Sequence, residues 1–285
     1  MSGIEPPPPD GVRYRIWLFE PGPARDALAA LFAIEREIDE SARPELDHAV
    51  GHARLDWWRE ECGLLADGRP RHPATLRLAA ALARPEAGPP DLQPLVEAAR
   101  WRFAQLAFET RSELDIVLGH WASTVFATLL AIGGADPRAA QATAWRSFAL
   151  RAGAAIRELE LAGQLRTFAL QGLVYLPLDE LDAAGCEHAD CRRQPFPGPV
   201  AALLRARFAA CATTLRDAAG ALPSSARIAC RAALLWTSQA LRQSARAAAA
   251  LPLEYAPPRF VAIADTFAAW NAARRCLRGH LPRLA

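Results

Sequence analysis

Lysine is missing altogether: the 33 basic side chains of this 285-residue chain are all arginine. A Schiff base on lysine, and a P-loop whose lysine must reach phosphate, are therefore excluded. An excess of either charge is missing too. With 33 bases against 31 acids the net charge is +2, too weak a field to draw the chain onto nucleic acid. Glycine and proline show no period, which excludes a collagen-like or low-complexity chain. The six cysteines, Cys62, Cys186, Cys191, Cys211, Cys230 and Cys276, are scattered, and the opening residues lack the basic and apolar blocks of an export signal. A secreted disulfide framework is not expected. The expected location is the cytoplasm, with at most peripheral contact to the inner membrane.

What is present is apolar: 52% hydrophobic against 22% charged residues is enough for a large core. Residues 116–135 carry no formal charge and match the ~20 residues that span a bilayer. Gly119, His120, Ser123, Thr124, Thr128, Gly133 and Gly134 dilute that stretch, so it reads as a central buried helix of a soluble bundle.

Alanine and leucine recur at helical spacing with few β-branched residues, so the class is all-α. Residues 1–11, with Pro6 to Pro9, read as a flexible or extended tail. Residues 25–42 form a first helix, its apolar stripe carried by Leu28, Leu31, Ile34 and Ile38, ended by Pro44. Further helices are expected over 46–65, 75–83, 92–109 and 112–132, then a pair or one bent helix over 137–170, and a short one over 178–184. Residues 85–90 form a loop. Residues 186–199, with Pro195, Pro197, Gly198 and Pro199, form the longest loop. Helices over 200–222, 224–251 and 258–280 complete the chain. Composition does not change across the long loop, which argues for a single domain, residues 12–285, of about ten helices.

Four groups have the residue types of chemistry. Glu35, Glu37, Asp39 and Glu40 offer carboxylates, with Glu35 and Asp39 one turn apart on a shared face. They read either as Mg²⁺ ligands or as a solvated helix face. The Cys186-Glu187-His188-Ala189-Asp190-Cys191 run has zinc-ligand types but no second pair to complete four ligands. His48 and His52 lack the glutamate of an HExxH site, and read as helix-surface residues. Adjacent Trp57 and Trp58 cannot face the same groove, so at most one packs there and the other packs differently or lies near solvent.

In order along the chain stand Arg13-Tyr14, Leu18-Phe19-x-Pro21, residues 27–34 followed by Glu37-Ile38, Arg54-Leu55-x-Trp57-Trp58-Arg59-Glu60-Glu61, Thr110-x-x-Glu113-Leu114, the small-residue helix around Ala122, residues 161–166, and Tyr175-Leu176-Pro177-Leu178-Asp179-Glu180-Leu181. Together, over roughly residues 13–185, they resemble the squalene/phytoene synthase family. That resemblance implies an isoprenoid-synthase-like helical bundle around a central cavity. It also implies head-to-head condensation of two prenyl diphosphates, with Mg²⁺ held between two aspartate-rich motifs on facing helices.

The chain departs from that pattern at both motifs. The first is Asp39-Glu40-Ser41-Ala42-Arg43, in which the third acid has become a cation. The second falls at Gly163-Gln164-Leu165-Arg166-Thr167, and residues 167–174 hold no carboxylate, leaving Glu158 or Glu160 as substitutes. Three readings follow. The first is a family member with degenerate motifs, similar to the branch of respiratory complex I assembly factors. Such a protein is non-catalytic or weakly active, and binds a prenyl lipid or a protein partner. The second is a Mg²⁺-dependent transferase condensing two farnesyl or geranylgeranyl diphosphates. In it Asp39 and Glu40 act in catalysis, Glu35, Asp39 and Glu40 hold metal, and Arg36, Arg43, Arg59, Arg166 and Tyr175 bind the diphosphate substrate. The third is a helical protein whose cavity has filled with side chains.

Overall fold

Few β-branched residues and regularly spaced Ala and Leu leave the helix without a strong competitor. The computed structural model describes residues 4–9, 11–83, 90–104, 107–256 and 259–284, and these fold into twelve α-helices with no strand among them. The helices are α1 Val12–Leu18, α2 Gly22–Ser41, α3 His48–Ala66, α4 Pro73–Leu82, α5 Gln93–Ala104 and α6 Arg111–Ile132. They continue with α7 Ala142–Gly163, α8 Leu165–Leu170, α9 Leu178–Ala183, α10 Gly198–Gly220, α11 Arg231–Ala250 and α12 Arg259–Cys276.

Local chemistry sets the ends. Pro23 opens α2 in its first turn, where its missing N–H costs nothing. Asp47 caps α3, its Oδ1 accepting from the amides of Ala49 at 2.9 Å and Val50 at 3.2 Å. Thr110 caps α6 by accepting from the Glu113 amide, and the Glu113 carboxylate reaches back to the Glu109 amide at 2.9 Å.

Several expected boundaries shift. The seven-residue α1 was not expected, since it is too short to show a period between Pro9 and Pro21. Residues 137–170 divide at Gln164 into α7 and α8. The long loop contains a 3₁₀ turn, His188–Arg192, and its Gly198-Pro199 end opens α10. Residues 224–230 hold a 3₁₀ turn and a further turn before α11 begins. Most of the expected 85–90 loop, with residues 1–3 and 10 of the expected tail, lies outside the described residues. The rest of that tail does not trail into solvent: Pro7 is buried and Ile4 packs against the core.

The central helices are α6 and α7, packed along each other, with α2 and α11 closing one side and α10 another. Gly153 of α7 permits this approach, because a Cβ there would sit 2.8 Å from the Ala122 Cβ of α6. Among the described residues α6 is the one helix long and apolar enough to cross a membrane. Its Leu118, Trp121, Ala122, Val125, Phe126 and Leu129 are buried in the protein. Each large apolar side chain buried this way contributes about 1.5–3 kcal/mol relative to exposure. The paired tryptophans divide as expected, Trp58 being 3% and Trp57 47% exposed.

Candidate functional site

Bounded by α1, α2, α7 and α11 is a cavity of about 1110 Å³, open on one side and just above the roughly 300–1,000 Å³ range of small-molecule sites. The reading of a cavity filled by side chains is thereby corrected: alanines Ala29, Ala33, Ala240 and Ala247 line it and leave the space open. Phe32, Phe208 and Trp236 give it apolar walls, and Glu5, Pro7 and Pro8 from the N-terminal segment lie along it.

One wall is ionic. Glu35 and Asp39, a turn apart on α2, face Glu160 on α7, and three guanidiniums stand between them. Arg13 grips Glu35 with both ends, Nη2 to Oε1 at 2.6 Å and Nε to Oε2 at 2.8 Å. Its Nη1 reaches Glu160 Oε1 at 3.0 Å. Arg157 donates to Asp39 Oδ2 at 3.2 Å and to Glu160 Oε2 at 3.1 Å. Arg102 completes the set on Asp39 Oδ1 at 2.8 Å. Trp121 donates its indole N–H to Glu35 at 2.9 Å. The flat cations also stack, Arg13 at 4.7 Å over Trp236 and Arg157 at 5.4 Å over Trp121.

Three carboxylates and three guanidiniums thus form a neutral, charge-assisted lattice. Burial pushes the Asp39 carboxyl up, but Arg102 and Arg157, with Arg13 behind them, pull it net below its ordinary value. Burial lowers the Arg157 pKa, but its acidic neighbours Asp39 and Glu160 outweigh that and raise it net. Arg13, raised likewise by Glu160 and Glu35, and Arg157 are both fixed in their charged form.

Glu158, two residues from Glu160 and so on nearly the opposite helix face, turns away from the cavity. It pairs with Arg111 and with Arg207 at 2.8 Å and accepts from Cys211 Sγ at 3.4 Å. Burial raises the Glu158 carboxyl and also pushes the Cys211 thiol up.

Six of the eight residues expected to form the site come together on one cavity, and two do not. Glu35, Asp39, Glu40, Arg36, Arg43 and Tyr175 line the cavity. Glu40 and Arg43 pair with each other at 3.2 Å in an exposed position. Arg59 is exposed on α3 beside Asp56 at 3.3 Å, away from the cavity lining. Arg166 points its Nε to the Arg192 carbonyl at 3.2 Å and lies behind the lining residue Thr167. Tyr175 is buried against Phe168 and Phe108, and burial raises its hydroxyl.

A divalent ion needs oxygen donors that are free to converge on it. Here each carboxylate that α2 and α7 present to the cavity is paired with a guanidinium, and among the described residues no three His, Cys, Asp or Glu side chains are placed to hold a metal. The donor set does not fit Mg²⁺ as arranged. The thiols of the Cys186–Cys191 run are buried around its 3₁₀ turn. His48 and His52 pack their rings on Phe103 at 4.9 and 5.2 Å.

Sequence reasoning did not single out Arg13, Arg102 or Arg157 as site residues. Arg13 and Glu160 lie 147 positions apart, and arginine is frequent enough here that none stands out. A usable signal was the loss of acids at both motifs, since cations near the survivors then become expected partners.

A family model described as squalene/phytoene synthase matches residues 10–278. The phytoene synthase of Mycobacterium tuberculosis (strain ATCC 25618 / H37Rv) is 28% identical over 165 residues, 58% of this chain and 52% of that protein. The chloroplastic phytoene synthase 3 of Zea mays is 29% identical over 172 residues, 58% of this chain and 39% of its own length. The chain therefore spans about half the length of these curated relatives or less. Among solved structures, a ligand-bound dehydrosqualene synthase superposes with a TM-score of 0.75 at 14% identity, covering 94% of this chain and 92% of its own. The squalene synthase HpnC of Alicyclobacillus acidocaldarius gives 0.63 at 21% identity, covering 82% and 86%. At these identities the superpositions establish the isoprenoid synthase fold.

Proposed function

The chain belongs to the squalene/phytoene synthase family, and we propose that within it this protein binds a prenyl chain without condensing two of them. The observation that carries this is the pair of hydrogen bonds that Arg157 donates, one to Asp39 and one to Glu160. Cations assisting a departing pyrophosphate must be anchored by carboxylates on facing helices. In this chain, covalently attached cations hold that position. The apolar walls suit an isoprenoid tail, and Arg36 and Arg43 at the exposed rim suit its phosphorylated or polar end. A prenyl lipid held this way serves a carrier or an assembly role, for which the resemblance to the complex I assembly-factor branch is the second support.

The transferase reading draws on one observation of its own: Glu160 does stand opposite Asp39, so carboxylates from two helices face each other. The test is pyrophosphate release from farnesyl or geranylgeranyl diphosphate in the presence of Mg²⁺. Release no greater than a blank, together with retention of the diphosphate on the protein, is expected. Turnover that Asp39→Ala abolishes would establish the transferase instead.

A further inference from the structure

On the outer side of α12, Ile263, Phe267, Trp270 and Arg274 fall within about 60° of arc at the helical 100° per residue. Leu277 continues the row just past the helix end. Ile263 is 76%, Phe267 63%, Trp270 38% and Leu277 55% exposed. The inner face is Asp265, Ala269, Ala272, Ala273 and Cys276, all buried. The outer side chains are thus surplus to the core, which the alanines already fill.

Charge on this face is one-sided. Residues 262–284 include Arg274, Arg275, Arg278 and Arg283, all exposed, and a single acid, Asp265. Asp265 is buried and answered by Arg246 at 2.8 Å and Arg242 at 3.3 Å. In a chain of net charge +2, this C-terminal segment thus carries four exposed arginines and no exposed acid of its own. The Arg274 guanidinium lies 4.7 Å over the Trp270 ring, which sets a cation directly on the aromatic part of the stripe.

We propose that this face of α12 docks on an anionic lipid bilayer. Aromatic and aliphatic side chains flanked by arginine are the makeup of an interfacial helix, and the surface potential of anionic lipids attracts such a row. A second copy of the chain fits less well, because it brings the same basic patch and no complementary acidic charge. Four partly exposed side chains also fall short of the about 800 Å² per partner of a stable interface. The inference is independent of what fills the cavity.

The test is co-sedimentation of the full chain with phosphatidylcholine vesicles, with and without phosphatidylglycerol. Binding to the anionic vesicles at least about tenfold tighter than to the neutral ones is expected. Phe267→Ser with Trp270→Ser should cut it about tenfold, while far-UV dichroism and the melting midpoint stay near those of the wild type. Should that variant fail to fold, Arg274→Gln with Arg278→Gln, which alters exposed side chains alone, should bring anionic binding down to the neutral level. Equal binding of the wild type and a folded variant would overturn the proposal, as would no binding to either vesicle. A dimer in sedimentation equilibrium that Phe267→Ser with Trp270→Ser dissociates would overturn it in favour of a second copy.

Discussion

Asp39 of α2 and Glu160 of α7 share one guanidinium: Arg157 reaches the first at 3.2 Å and the second at 3.1 Å. A single side chain thereby ties together the two helices whose carboxylates face across the cavity, and it does so with a charge that cannot leave. Arg13 repeats the arrangement between Glu35 and Glu160.

Removing that cation should be costly and revealing. Arg157→Met leaves Asp39 and Glu160 short of a partner, and breaking a buried pair costs about 3–5 kcal/mol. Because Arg13 and Arg102 remain, a loss of about 2–3 kcal/mol in urea unfolding is expected. The freed carboxylates should then take up a cation from solution, so Mg²⁺ should raise the melting midpoint of the variant and leave the wild type unmoved.

Acid titration should find Asp39. Its carboxyl lies below its ordinary value in the folded state, so its contribution is complete above the unfolded value near 3.9 and is lost as pH falls through the lower folded value. Asp39→Asn should flatten the acid limb of a stability-against-pH curve below about pH 4 and leave the neutral region parallel to the wild type. An unchanged acid limb would mean that Asp39 is not held by Arg102 and Arg157.

The helices were legible in the sequence because their buried stripes are local. Leu28, Leu31, Ile34 and Ile38 fix α2 to within a few residues, and Pro177 and the Pro195–Pro199 cluster mark real interruptions. The short α1 escaped, because seven residues between prolines cannot display a period. Half of the site was legible for the same reason: Glu35 and Asp39 share a face by spacing alone. Their partners were not. Arg157 lies 118 positions from Asp39, and only the crossing of α2, α5 and α7 brings Arg102 and Arg157 to one carboxylate. Arg59 and Arg166, selected by motif position, turn out to serve exposed or backbone contacts.

Packing between α6 and α7 should be intolerant at Gly153. An added Cβ meets Ala122 Cβ at 2.8 Å and its Cα at 3.0 Å, so the helices must part. Gly153→Ala gains about 1 kcal/mol of helix propensity but should still destabilise by about 1–2 kcal/mol net through overpacking. The larger Gly153→Val should be worse, and Ala122→Gly should partly restore the Gly153→Ala protein. Thermal denaturation of the set measures this.

The thiols should be silent in the native protein. All six cysteines are free and buried, and burial pushes those of Cys62, Cys191, Cys230 and Cys276 up to about 12. Thiolate is the reactive form, so a thiol reagent near neutral pH should label essentially none until denaturant is added, and then all six. Rapid native labelling of Cys186 or Cys191 would show that the 188–192 turn opens.

Calorimetric titration with farnesyl diphosphate, run once in Mg²⁺ and once in a chelator, tests the central claim most directly. If tethered guanidiniums hold the place of the metal, the two titrations should give the same affinity and stoichiometry, and no pyrophosphate should be released in either. Binding that needs Mg²⁺, followed by release of pyrophosphate, would contradict the account.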